Sequence, residues 1–328
     1  MRRARIKVSA IESEAVYHLV SRTVNGEWLM GSVAKEILRR QLWQVAEFAG
    51  LEILTYTILS NHFHVLVRVP KAKPVSDDEL LRRFRVLYPK PTRYEAARME
   101  VISPMLLENG PDAAAWRRRQ LSLMNDVSQF MKLVKERFSI WYNKRHNRFG
   151  PVWSDRFKSI LIESHGGAIT SVAAYIDLNC VRAGIVSDPK DYRFCGYSEA
   201  VAGQLQARRG LQSIVGQETW TDVQASYRQM IFGTGAAPRE GKAAISPEKL
   251  RQVISEGGCL PLPEVLRCRI RYFSHGAVLG RREFVQFHLA QYRQRNGCGE
   301  RMAPRTLPNV TDWGGMVGMR AIRGAIFG

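Results

Sequence analysis

His62 and His64 stand one residue apart in Ser60–Val69, SNHFHVLVRV, a stretch that otherwise reads as a buried β-strand. Alternate side chains of a strand share a face. The two imidazoles therefore point the same way, about 7 Å apart along the chain, while Phe63 points into the core on the other face. Two neutral imidazoles at that spacing can grip one divalent cation. A lone HxH also occurs as two half-buried histidines with ordinary hydrogen bonds. None of the other histidines, His18, His146, His165, His275 and His288, stands at a familiar zinc spacing. A helix that supplied both a further ligand and a reacting group would carry them at i and i+4. Tyr175 and Asn179 stand so in YIDLN, pairing a phenol with a carbonyl oxygen suited to Mg²⁺ or Mn²⁺. Tyr142 and His146 have the same spacing on another predicted helix, and spacing alone does not choose between the pairs.

The elements that must hold these residues follow from periodicity. AVYHLVSRTV (15–24), LEILTYTILS (51–60), HFHVLVRVP (62–70) and SILIES (159–164) read as strands. A helix is expected over 32–50, stopped by Gly50, and another over 125–146, with Asp126 as N-cap and a stripe of Phe130, Val134, Phe138 and Trp141. A third is expected from about Thr170 to Gly184. Residues 71–124 read as an insertion rich in helix and proline. The order β-α-β-β-α-β, then a helix, predicts an α+β fold with a ferredoxin-like split βαβ antiparallel sheet. Residues 201–328 are expected to be a basic, mainly helical region, with helices over 246–257 and 282–297. RYFSHGAVLGRREFVQFHL has the flavour of a helix-turn-helix.

The chain of 328 residues suggests two domains and a real core. No apolar run is long enough to span a membrane, and the basic N-terminus has no apolar segment of a secretory signal. Five cysteines without a CxxC pair argue against a disulfide framework and a zinc ribbon, and for a reducing cytoplasm. A net charge of +19, carried by both halves of the chain, points to a polyanion such as DNA or RNA. Arg148, Arg156 and Lys158 alternate with Phe149, Trp153 and Phe157 just before the fourth strand. Cations for phosphates and rings for bases suit a single strand. Arginines at 82, 83, 85 and 117–119 could form a second groove, or simply charged helix faces; Arg267, Arg269, Arg271, Arg281 and Arg282 add charge near the C-terminus.

Five segments, in order, carry a resemblance: Asn61-His62-Phe63-His64-Val65-Leu66-Val67, Trp141-Tyr142-Asn143, Gly150-Pro151-Val152-Trp153 with Arg156-Phe157-Lys158-Ser159, Tyr175-Ile176-Asp177-Leu178-Asn179 with Val181-Arg182-Ala183-Gly184, and Asp188-Pro189 with Asp191-Tyr192. Over roughly residues 15–200 the chain resembles the REP-associated tyrosine transposases, of the single-tyrosine, His-hydrophobic-His (HUH) endonuclease superfamily. The resemblance implies a nuclease domain over 1–200, with the insertion at about 71–124; the basic residues beyond it suggest a DNA-binding region over 201–328. It makes Tyr175, rather than Tyr142, the nucleophile, and His62, His64 and Asn179 the ligands of Mg²⁺ or Mn²⁺. Where that family has Asn-Pro-Val, this chain has Asn179-Cys180-Val181.

The implied reaction is metal-dependent cutting and joining of single-stranded DNA beside a REP-like hairpin. The cation polarises the phosphate and offsets charge in the transition state, because a free phenol, titrating near pH ~10, is a weak nucleophile. The product is a 5′-phosphotyrosine and a free 3′-hydroxyl, and no P-loop or ATP is needed. The implied protein is cytoplasmic and nucleoid-associated, a monomer or homodimer, without membrane partners. Two other readings stand beside it: a domesticated, non-catalytic binder of DNA hairpins, and a zinc hydrolase.

Overall fold

Two strands buried on both faces set the plan. β1 (Ala15–Arg22) and β3 (His62–Val69) expose almost nothing along their lengths, so layers must cover both sides of the sheet they share. The computed structural model describes residues 5–89, 97–232, 262–266, 270, 273–274, 276–296, 303–307 and 313–319. β2 (Glu52–Ile58) joins β3 through a tight turn in which the Leu59 N–H donates to the His62 carbonyl at 2.8 Å. β4 (Lys158–Ile162) pairs with the free side of β1. The order β2-β3-β1-β4 is antiparallel throughout.

The sheet then continues where helix was expected. β5 (Val278–Gly280) runs parallel to β4, and the short strands β7 (Val317–Gly318) and β6 (Arg305–Thr306) extend it. The result is a mixed seven-stranded sheet in an α+β fold, in which the four strands read from the sequence are antiparallel and the added β5 makes the sheet mixed. The same stretch corrects the expected helix-turn-helix, since residues 278–280 hydrogen-bond as strand before α11 (Arg282–Asn296) begins. The core is continuous from Ala15 to Met319. The expected helix at 246–257, and Arg267, Arg269 and Arg271, lie outside the described residues.

The helices form where local signals placed them. α1 (Ser32–Ala49) ends on Gly50, whose φ of 68° is the left-handed stop that glycine adopts without cost. α5 (Val127–Arg145) starts on Asp126, which accepts from the amides of Ser128 and Gln129 at 2.6 and 3.0 Å. The insertion folds as α2 (Asp77–Leu87), α3 (Met99–Glu108) and α4 (Pro111–Leu121). Its arginines are partly committed: Arg82 and Arg83 bind Glu79, and Arg117 binds Asp77. Among the described residues no helix is long and apolar enough to cross a membrane.

α1 and α5 cover the face to which Phe63 points. Trp43 of α1 meets Tyr56 edge-on, and Phe63 packs on Trp153, which packs on Phe138 of α5. α6 (Gly167–Asp177) covers the other face, buried on nearly all sides beneath α8 (Gly196–Val201), α9 (Leu205–Val215) and α10 (Trp220–Phe232). α9 lies hard against β2. A Cβ on Gly210 would stand 2.5 Å from the Leu54 carbonyl oxygen and 2.8 Å from that of Ile53. Gly210→Ala gains about 1 kcal/mol of helix propensity. The overpacking, at the top of the usual ~1–3 kcal/mol range because backbone cannot rotate away, should leave the variant about 2 kcal/mol less stable. A urea midpoint lower than wild type checks this.

Candidate functional site

Strand register gathers the histidines. On β1, His18 stands opposite Leu66 and Val20 opposite His64, so His18, His62 and His64 share the face beneath α6. The His62 and His64 rings are 5.3 Å apart, and His18 lies 5.0 Å from His64. Sequence spacing did not mark His18. The signal exists only once β1 and β3 are paired.

α6 is aimed by hydrogen bonds to the sheet. The Thr57 hydroxyl donates to the Ile176 carbonyl at 2.7 Å, and the Thr55 hydroxyl to Asp177 at 2.6 Å. Asp177 is fully buried and also accepts from the Tyr227 hydroxyl (2.6 Å), the Cys195 thiol (3.1 Å) and the Tyr197 amide (3.4 Å). This ties the end of α6 to β2, α8 and α10. Tyr175 lies in the last turn of α6, and Asn179 opens the next short helix, α7 (Asn179–Arg182), so the single helix expected from about Thr170 to Gly184 is divided at Leu178. The Tyr175 ring is 6.3 Å from His64 and 6.5 Å from His18, edge-on to both. The Asn179 amide nitrogen is 3.3 Å from His62 Nε2.

Burial raises the Asp177 carboxyl from 3.8 to about 6, although all its donors oppose the shift. The folded chain therefore keeps a proton that the unfolded chain releases. This group's contribution to stability is complete below pH 3.8 and is lost as pH rises through about 6. Asp177→Asn cannot ionise and should remove that slope. At ~1.4 kcal/mol per unit the wild type loses about 3 kcal/mol over the window, read as urea midpoints at about pH 4 and about pH 7.

Proton positions in the histidines follow from their partners. The Asn61 side-chain oxygen, 2.7 Å from His62 Nδ1, can only accept, so Nδ1 carries the proton and Nε2 presents a lone pair toward Asn179. The Phe273 carbonyl, 2.7 Å from His18 Nδ1, sets that ring the same way. His18 Nε2 then accepts from His64 Nδ1 at 2.8 Å, and the lone pair of His64 is at Nε2. Burial holds both rings neutral. It lowers His18 to about 3 and His64 well below the ordinary value, with His18, His62 and Arg182 adding to the second shift.

The imidazoles of His62 and His64, each presenting a lone pair at Nε2, are suited to a divalent cation. The amide of Asn179 completes that set only after a half-turn. As it stands its nitrogen faces His62, and its oxygen accepts from Arg182 at 3.2 Å. Among the described residues no group of three or more His, Cys, Asp or Glu is arranged to hold a metal.

Arg182 is a site residue that spacing did not reveal. Its guanidinium lies 3.8 Å from the centre of the Tyr175 ring and donates to the carbonyls of Tyr175 (2.7 Å) and Leu266 (2.8 Å). Phe273 packs edge-on against the same ring at 5.2 Å. Tyr175 is 3% exposed, so a large substrate reaches its hydroxyl only when this cover shifts. The rival pair is elsewhere. Tyr142 stacks on His146 at 4.2 Å, on α5, across the sheet from the histidines.

The basic, aromatic loop divides in two. Trp153 and Phe157 are buried. Trp153 donates its ring N–H to the Lys135 carbonyl at 3.1 Å, and Arg5 lies 3.8 Å over the Phe157 ring. Neither ring offers a face for stacking as folded, which corrects that expectation: both fill the core beneath the loop. Phe149, 89% exposed, does offer one. Arg148 pairs with Glu27 at 3.6 Å, whereas Arg156 and Lys158 are exposed.

No family model matches the chain, and no curated protein matches it. Among solved structures, the chain is similar to a REP-associated tyrosine transposase bound to a REP hairpin, with 16% identity and a TM-score of 0.39, over 62% of this chain and 86% of the other.

Proposed function

We propose that the protein is a metal-dependent single-stranded DNA endonuclease and strand transferase of the HUH type, cutting beside REP-like hairpins with Tyr175 as nucleophile. One observation carries the reading: the phenol ring of Tyr175 lies edge-on to His64, whose Nε2 lone pair, like that of the neighbouring His62, is preset by a hydrogen bond, with the Asn179 carboxamide alongside. The four-strand order β2-β3-β1-β4, with helices on both faces, supports a ferredoxin-like core.

His62, His64 and Asn179 would hold Mg²⁺ or Mn²⁺, which when bound polarises a phosphate oxygen. The chain's own residues do the rest. The Tyr175 oxygen attacks phosphorus, the bond from phosphorus to the 3′-oxygen breaks, and the phenol proton is given up as the 3′-oxygen gains one. The products are a 5′-phosphotyrosine and a free 3′-hydroxyl. Reversal by another 3′-hydroxyl joins strands without ATP. Arg182 lies on the phenol ring, and its charge favours an oxygen gaining negative character. Arg148, Arg156 and Lys158 would bind phosphates, and Phe149 would stack a base.

The test is a denaturing gel. With Mg²⁺ or Mn²⁺ and a single-stranded hairpin oligonucleotide, the protein should form an adduct that survives denaturant. Tight hairpin binding with no adduct under any metal would instead establish the non-catalytic binder.

A further inference from the structure

We infer that His18 is a positioning residue of this site: held by the Phe273 carbonyl, it locks His64 in the Nδ1–H tautomer and so commits His64 Nε2 to a divalent cation. The inference rests on the proposed reading of His62 and His64 as ligands. It adds a residue from another strand, and a backbone carbonyl from the C-terminal part of the chain, to the machinery that aims them.

The two ligands are set by different devices. His62 is oriented locally by its neighbour Asn61. His64 has no such neighbour. Its Nδ1 faces the His18 ring, at 2.8 Å, with the rings stacked at an interplanar angle of 27°. An imidazole can donate or accept at either nitrogen, so His18 by itself would not decide the tautomer. The decision comes from the far end. A carbonyl oxygen cannot donate, so the Phe273 contact fixes the proton on His18 Nδ1. A neutral His18 then has one lone pair, at Nε2, and His64 must donate to it. Polarity runs in one direction through three groups and ends at the lone pair required for a ligand. His18 is 0% exposed and belongs to an interior strand, so bulk water does not compete for these bonds. Second partners of this kind orient a ligand and raise its basicity, and their removal typically costs about 10–100-fold in metal affinity.

The relay also joins two parts of the fold. Phe273 packs its ring on Tyr175 at 5.2 Å and on Trp313 at 5.9 Å, while its carbonyl holds His18. One short piece of backbone thus supports both the nucleophile and a ligand.

The experiment uses the full chain with ¹⁵N-labelled histidine. Long-range ¹H–¹⁵N correlations report the tautomer of each ring, and calorimetry with Mn²⁺ reports affinity. In the wild type, His18 and His64 should both show Nδ1–H; Nε2–H on His64 overturns the inference with no variant needed. His18→Phe keeps the ring but removes both contacts. It should release His64 to a mixture of tautomers and weaken Mn²⁺ binding about 10–100-fold. His18→Gln, which retains one donor and one acceptor, should recover most of that affinity. His18→Phe with wild-type affinity and an unchanged His64 tautomer overturns the inference. Failure of the ligand reading looks different: wild-type affinity for Mn²⁺ would then be unaltered by His62→Ala or His64→Ala, whereas the tautomer spectra would still decide the role of His18.

Discussion

Tyr175→Phe is expected to abolish the covalent adduct with a hairpin oligonucleotide, while Tyr142→Phe leaves it intact. The substitution removes one oxygen and nothing else. The ring keeps its contacts with Arg182, Phe273, His18 and His64, so the fold should be nearly undisturbed. Without the oxygen no bond to phosphorus can form, and loss of a covalent nucleophile lowers rates on the order of 10⁴–10⁶-fold. Tyr142 is 6% exposed and stacked between Phe138 and His146 on the far side of the sheet, where its hydroxyl contributes nothing to the histidine face. Quantifying adduct per mole of protein on a denaturing gel, with wild type and both variants side by side, gives the result directly. Adduct retained by Tyr175→Phe and lost in Tyr142→Phe would reverse the assignment.

Chelation should have an effect nearly as large. EDTA should reduce adduct formation to background, and Mn²⁺ or Mg²⁺ should restore it. His62→Ala and His64→Ala should each lower the rate on the order of 10³-fold, the scale of removing one major stabiliser of transition-state charge. Because both side chains would serve one ion, the double variant should be little worse than either single one, a non-additivity expected of groups acting as a unit. Multiplicative losses would mean that the histidines act separately, and the shared-ion reading would fall. Elemental analysis separates the zinc hydrolase: stoichiometric zinc, with hydrolysis that does not depend on DNA, would favour it.

Strands and helices up to about residue 200 were legible in the sequence because their signals are local. A strand's period of two puts His62 and His64 on one face whatever the rest of the chain does. Asp126 caps α5 and Gly50 ends α1 through bonds made within a few residues. The spacing of Tyr175 and Asn179 was equally plain, but the single helix read across it is divided at Leu178, with Tyr175 in the last turn of α6 and Asn179 at the start of α7.

Other features depend on contacts between residues far apart in sequence, and these only the tertiary structure decided. His18 enters the site through the register of β1 with β3, and its proton is placed by a carbonyl 255 residues away. Tyr175 and Tyr142 are alike as sequence; they differ in which face of the sheet their helices cover. Trp153 and Phe157 look like a stacking platform until the sheet and α5 close over them. β5, β6 and β7 are too short to show any alternation, so their place in the sheet is set by the strands they meet. Local periodicity determines which side chains can share a face; only the pairing of distant strands determines what stands opposite them.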